Sequence, residues 1–198
     1  FGATKERSAA GGPLLANDPH FELSAPSLFY LARLQLNYGG IIGASVPGTP
    51  VILSGRNEKL AWGVTASYLD DQDIFIEELN SSNPNLYKTE EGWKNLKTDK
   101  QFIKIKNAPD IEIKRKWTSN GPVLPETVFD LASITPKNHV ATLSWTALTE
   151  KDTTISAAIN LMFSQNVQKG LESLEDFHAP SLNFLLVDSE KMVLKTVG

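Results

Sequence analysis

The sequence predicts an α+β chain dominated by antiparallel sheet, and three observations carry that expectation. Apolar and polar residues alternate through successive short runs as far as Trp145. Clusters of Gly, Pro and Asn separate those runs at short intervals, as hairpin connections do. Helical spacing enters only late, after Asp152, so the helices are few and follow the strands.

Taken in order, Tyr30, Ala32, Leu34 and Leu36 fall on one side of a period-two run, with Arg33, Gln35 and Asn37 on the other. Gly39-Gly40 ends that strand and Ile41 to Val46 reads as the next. Pro47-Gly48-Thr49-Pro50 is a turn, because its prolines fix φ and remove backbone donors. Val51 to Leu53 and Leu60 to Thr65 are expected as short strands joined by a Gly55-Arg56-Asn57-Glu58 loop, and Ile74 to Leu79 as another. Residues 80–100 are polar and read as a surface excursion, the least ordered part of a single domain spanning 1–198. Phe102 to Lys106 and Ile111 to Lys116 alternate around Asn107-Ala108-Pro109-Asp110, with Ile103, Ile105, Ile111 and Ile113 expected to point inward. Val140 to Trp145 closes the series of strands. Thr153 to Phe163 is apolar enough for a buried short helix. In 164–178, Val167, Leu171, Leu174 and Phe177 recur at helical spacing up to Pro180. Leu182 to Val187 and Met192 to Val197 then form a hairpin around Asp188-Ser189-Glu190-Lys191.

Composition excludes several functional classes. The 198 residues carry 19 Lys and Arg against 23 Asp and Glu, a net charge of −4, with no basic stripe of the kind nucleic acid requires. The absence of cysteine removes thiol nucleophiles, disulfides and Cys-ligated zinc. No apolar run approaches the ~18 residues of a membrane span. The chain opens on Phe1 within a β-like stretch, as a processed or truncated piece would.

Three places could carry chemistry. His20 follows Asn17-Asp18-Pro19, either as a surface-turn histidine or as part of a site. No Gly-x-Ser-x-Gly elbow accompanies it, and His139 and His178 lack the spacing of a metal pair. Asp70-Asp71-Gln72-Asp73 sets three carboxylates in four residues, a solvated acidic turn or part of a calcium shell of ~6–8 oxygens. Asn183 enters an apolar strand, where its amide must be hydrogen-bonded, either to close a turn or to meet a ligand oxygen.

The order of these groups, and the text between them, resembles the β-subunit of the penicillin acylase family, including its acyl-homoserine-lactone acylases. The similar stretches are Gly11 to Tyr30, with Pro13-Leu14-Leu15-Ala16-Asn17-Asp18-Pro19-His20-Phe21; Gly43 to Phe75, with Pro47-Gly48-x-Pro50, Gly55-x-Asn57 and Ala61-Trp62-Gly63; the Thr118-x-x-Gly121-Pro122-Val123 turn; Ser144-Trp145-Thr146; and Pro180-x-x-Asn183 followed by Asp188. The resemblance implies an N-terminal-nucleophile hydrolase fold, the four-layer αββα sandwich, here partial, with two antiparallel sheets and few helices. It implies a serine freed by autoproteolysis whose own α-amine, with an unperturbed pKa near ~7.7–8.0, acts as base in amide cleavage. By alignment that serine falls about five residues before Phe1, so this chain alone is expected to be inactive. His20 matches the residue that supports the serine, Ala66 the backbone oxyanion donor, and Asn183 the side-chain oxyanion donor. Phe21 and Tyr68 match acyl-pocket positions. Asp70, Asp73 and the carbonyl of Gln72 match a structural Ca2+ segment. Asn120 departs from the family, which often has His there, as does Glu190-Lys191, where Gly is common. The implied partners are a small N-acyl amide substrate and the remaining α- and β-chain segments; the implied location is the periplasm or beyond. Apolar sheet surface left for those segments would favour self-association of the piece. A non-catalytic binding or scaffolding protein on the same fold, and a calcium-dependent surface domain, are the alternatives.

Overall fold

The computed structural model describes residues 1–37 and 39–198. Along the chain the strands are β1 (Gly2–Ala3), β2 (Leu14–Leu15), β3 (Tyr30–Leu36), β4 (Gly39–Ser45), β5 (Ser54–Arg56), β6 (Ala61–Ala66), β7 (Gln72–Asn80), β8 (Asn83–Thr89), β9 (Gly92–Asn95), β10 (Lys97–Ile103), β11 (Ile111–Trp117) and β12 (His139–Trp145). Helices α1 (Thr154–Phe163) and α2 (Val167–Ser173) follow, then β13 (Leu182–Val187) and β14 (Met192–Val197). The chain divides into two units, residues 1–70 with 149–198, and residues 71–148. Among the described residues no helix is long and apolar enough to cross a membrane.

The first unit is built on a six-stranded antiparallel sheet in the order β14-β13-β6-β5-β4-β3. Alternation along these strands sends Ile41, Trp62, Val64, Phe184 and Leu186 to one face, where Ala157, Leu161 and Met162 of α1 and Val167 of α2 complete the core. Trp62 is fully buried, and its indole N–H donates to the Ile52 carbonyl at 2.9 Å. Asn57 ties the loop between β5 and β6 to the end of α1. Its amide donates to the Met162 and Ser164 carbonyls while its oxygen accepts from Lys59 and Leu60 N–H. These bonds satisfy helix-terminal carbonyls that would otherwise be orphaned. The opposite face carries Leu31, Ile42 and Leu194, 45–86% exposed.

Asp188, beyond β13, organises the hairpin end. One carboxylate oxygen accepts from Glu190 and Lys191 N–H at 2.8 and 2.7 Å, and the other from Val167 N–H at the start of α2 at 2.7 Å. Burial pushes its pKa up, but those three N–H donors and the Lys191 charge outweigh it, so the carboxyl titrates below its ordinary value. A depressed carboxylate contributes stability that is present above its unfolded pKa and lost as pH falls through the folded one. Asp188→Asn is therefore expected to lower the melting temperature at neutral pH. The gap to the parent should narrow as pH drops below about 4, followed by thermal melts across pH.

In the second unit β7 is central to a four-stranded sheet ordered β12-β7-β8-β9. The carboxylate of Glu77 on β7 is buried and accepts from the Asn120 amide at 2.8 Å and the Thr142 hydroxyl at 3.0 Å. Ser119 N–H donates to the buried Tyr87 hydroxyl, and Leu143 N–H to the Pro122 carbonyl, so the Thr118–Val123 turn is laced to the sheet. Gly121 has φ +144°, and a Cβ there would lie 1.9 Å from the Leu143 carbonyl oxygen, which restricts that position to glycine. Asn120, where the family often has His, thus has a structural task here.

Several expectations are corrected. Residues 80–100 form β8, β9 and the start of β10, because Tyr87 and Leu96 supply buried anchors that a polar average hides. The first strand of the 51–65 region is Ser54–Arg56 rather than Val51 to Leu53, which forms an irregular approach to it with Val51 and Ile52 buried. The 164–178 helix is shorter, ending at Ser173 with a 3-10 turn over Leu174–Asp176. The β10–β11 hairpin forms a separate two-stranded ribbon, and Ile103, Ile105, Ile111 and Ile113 are 39–52% exposed rather than inward.

Candidate active site

β13 lies directly beside β6 in antiparallel register, with Leu182 opposite Ala66 and Asn183 opposite Thr65. Two residues separated by more than a hundred positions are therefore neighbours. Among the described residues the Asn183 amide nitrogen makes only long contacts, 3.3 Å to the Ala66 carbonyl and 3.4 Å to the Thr65 hydroxyl. Its oxygen is gripped firmly, accepting from the Thr196 hydroxyl at 2.6 Å across the β13–β14 hairpin. The carboxamide is thus oriented by its carbonyl end, and its N–H2 end remains weakly committed.

Ala66 ends β6 where neighbouring strands fall away. Ser67 N–H reaches the Ser181 carbonyl. Because successive N–H groups of a strand point to opposite edges, the amide of Ala66 projects from the other edge, with those of Val64 and Trp62. β5 pairs with β6 only through Arg56–Ala61 and Gly55–Trp62, so it has left that edge before Val64. At Val64 its place is taken by a side chain. Asn17 accepts from Val64 N–H at 2.8 Å and donates to its carbonyl at 2.9 Å.

Asn17 begins the Asn-Asp-Pro-His segment, which is held from the other end by β1 and β2. Gly2 pairs with Leu15 and Ala3 with Leu14, and Phe1 exchanges backbone bonds with Ala16 at 2.7 and 2.9 Å. His20, three residues beyond Asn17, is exposed. Phe21 is 58% exposed and meets Phe29 edge to face at 5.4 Å, a partner the sequence reading missed. Tyr68 is 94% exposed and holds a left-handed φ of 56°, an uncommon conformation for a bulky residue, two positions after Ala66. Two concave regions are lined by other residues, one by Ile41, Asn57 and Met162, another by Lys5, Asp188 and Met192. Phe21 and Tyr68 line neither of them.

Asp70 closes the first unit, while Gln72 and Asp73 open β7 opposite Trp145 and Ser144; all three are exposed. Among the described residues no three His, Asp or Glu side chains gather to hold a metal ion. Two carboxylates and a main-chain carbonyl are only part of a calcium shell of ~6–8 oxygens.

Thr196 and the pairing role of Asn17 escaped the sequence reading. Thr196 was within reach, since the 182–187 and 192–197 strands around a four-residue turn put it across from Asn183. Asn17 carried no such signal, because the strand it pairs with begins more than forty positions away.

Comparison with known proteins adds the following. The profile of the penicillin amidase family matches residues 2–198. The acyl-homoserine lactone acylase QuiP of Pseudomonas aeruginosa is 26% identical over 198 residues, 98% of this chain and 23% of that protein. Its namesake in Pseudomonas fluorescens is 28% identical over 201 residues. Penicillin G acylase of Escherichia coli is 28% identical over 103 residues, 52% of this chain and 12% of that one. The chain spans under a quarter of the length of these curated relatives. In fold it matches a thermostable penicillin G acylase from Alcaligenes faecalis, with a TM-score of 0.78 and 24% identity, over 94% of this chain and 32% of the other.

Proposed function

This chain belongs to the penicillin amidase family, and on that premise we propose that it forms the oxyanion-binding part of an N-terminal-serine hydrolase that cleaves N-acyl amides. The observation that supports the proposal is the pairing of β6 with β13, which sets Asn183 opposite Thr65 with its amide nitrogen 3.3 Å from the Ala66 carbonyl, while the Ala66 N–H lies at the other edge of β6, which β5 has vacated.

The chemistry follows from those groups. A serine preceding Phe1 would enter along β1, whose ladder with β2, continued upstream, runs past Asn17 towards His20. Its hydroxyl attacks the acyl carbonyl, and the proton passes to its own α-amine. The carbonyl oxygen gains the negative charge, and Ala66 N–H and the Asn183 amide donate to it. Collapse expels the amine, which leaves with that proton, and water then hydrolyses the acyl ester. His20 supports the serine and its amine through hydrogen bonds. Phe21 and Tyr68 bind an apolar acyl group by burying carbon surface once the remaining segments cover them. The exposed Leu31, Ile42 and Leu194 face is where such segments would pack. Export from the cytoplasm, and a structural Ca2+ held in part by the Asp70–Asp73 segment, belong to the same proposal.

Its test is release of free amine by the complete protein from a panel of N-acyl amides, including acyl-homoserine lactones and phenylacetyl amides. Hydrolysis with saturable kinetics by the complete protein, and none by the 198-residue chain alone, is expected. A well-folded complete protein that cleaves no amide, or turnover by the short chain, would contradict it.

A further inference from the structure

The free edge of β6 presents three successive stations: Trp62, paired by Gly55 of β5; Val64, paired by the Asn17 side chain; and Ala66, the next amide along. The bond pair at Val64 copies what a neighbouring strand would make, one N–H donated and one accepted, at 2.8 and 2.9 Å. Only a primary carboxamide offers both a donor and an acceptor at this reach: a carboxylate cannot donate, a hydroxyl is too short to span both groups, and glutamine is one methylene too long. The surroundings fit the side chain closely. A Cβ on Gly63 would lie 3.0 Å from the Asn17 Cβ and 3.2 Å from its carboxamide, so glycine at 63 lets Asn17 lie flat against the strand.

We propose that Asn17 is a positioning residue: it fills the Val64 station in place of a strand and so fixes the Asn17–His20 segment at a set distance from the Ala66 amide. The inference rests on the proposed hydrolase reading for its catalytic consequence, but not for the clamp itself. Two ladders meet at this residue. Through Ala16 it is tied to Phe1, and so to whatever enters along β1; through Val64 it is tied to the strand carrying the oxyanion donor. Loosening it lets the nucleophile side of the site slide against the electrophile side, while Phe21 keeps its edge-to-face contact with Phe29 and Tyr68 stays on the chain that leaves β6. The effect should therefore fall on kcat rather than on KM.

The experiment uses Asn17→Asp, Asn17→Ala and Gly63→Ala in the complete protein, with amide hydrolysis and hydrogen exchange over residues 62–68 measured on each. Asn17→Asp and Asn17→Ala are expected to lower kcat by about 10–100-fold with KM changed less than about 3-fold, since misplacement near 1 Å costs on that order. Gly63→Ala, which displaces the side chain without removing it, should give a smaller loss in the same direction. Exchange of the Val64 amide should be slow in the parent and fast in Asn17→Ala, whereas Asn17→Asp keeps the acceptor for that amide and loses only the donor to the Val64 carbonyl. Unchanged exchange in Asn17→Ala, unchanged kcat in a folded variant, or a loss appearing in KM alone would overturn the assignment. If an Asn17 variant fails to fold, Gly63→Ala decides by the same readouts. A parent that hydrolyses no amide sinks the hydrolase reading, and the exchange data then still judge the clamp on their own.

Discussion

Asn183→Ala in the complete protein is expected to lower kcat by about 10²–10³-fold, the usual consequence of removing one oxyanion donor, with KM little changed. The Asn183 carbonyl oxygen is held by Thr196 at 2.6 Å, while among the described residues its nitrogen makes nothing shorter than 3.3 Å. A donor already engaged in a short bond would have to surrender it when the oxyanion forms; this one gives up little. The anchor makes a second variant informative, because Thr196→Val frees the carbonyl and lets the amide rotate. Its kcat should fall too, but by less, since the donor is still present. Steady-state kinetics on one amide substrate decide both. Near-parental turnover by Asn183→Ala would remove the residue from the oxyanion site.

Trp62→Ala is expected to be the most damaging substitution for stability, at about 3–5 kcal/mol for a large aromatic deleted from a packed core. Trp62 is fully buried between the sheet and the helices, beside Ile41, Leu161 and Leu186 in the same core. Its loss also strips the Ile52 carbonyl of the indole donor at 2.9 Å. For a domain of this size each kcal/mol moves the melting temperature by about 2–4 °C, so a fall of roughly 6–20 °C should appear in a thermal melt. Trp62→Phe keeps most of the volume and loses the hydrogen bond, so it should fall by a smaller amount, near ~1–3 kcal/mol. A melting temperature within 2 °C or so of the parent for Trp62→Ala would show that the core centre lies elsewhere. Because Trp62 and Ala66 share β6, the damaged core also loosens the strand that carries the proposed donor.

How far sequence reached into this molecule depended on the range of the interactions concerned. The hairpin of β13 and β14 was readable residue by residue, because alternation and a four-residue turn are local facts. The same alternation misled in β10 and β11, where isoleucines recur at period two yet stand on an exposed ribbon. Period two reports that a strand has two faces, not that either face is covered. The tract around residues 80–100 failed for the opposite reason: its strands are pinned by single buried anchors such as Tyr87 and Leu96 in a polar background. For the candidate site, Asn183 stood out as an amide entering an apolar strand, whereas Ala66 is an unremarkable residue type to which only the order of the family's motifs drew attention. What no sequence pattern contained is register. That Asn183 sits opposite Thr65 follows from how two distant strands align, and Asn17 standing in for a missing strand at Val64 follows from where β5 departs.

The central claim is that two donors distant in sequence act on one oxygen, and it is tested most directly by the structure of the complete protein bound to a tetrahedral transition-state analogue such as an acyl phosphonate. The account predicts one analogue oxygen within about 2.7–3.1 Å of both the Ala66 amide nitrogen and the Asn183 side-chain nitrogen, with the His20 imidazole beside the attached nucleophile. An analogue bound with its oxygen on other donors, or with those two nitrogens facing away from it, would contradict the account.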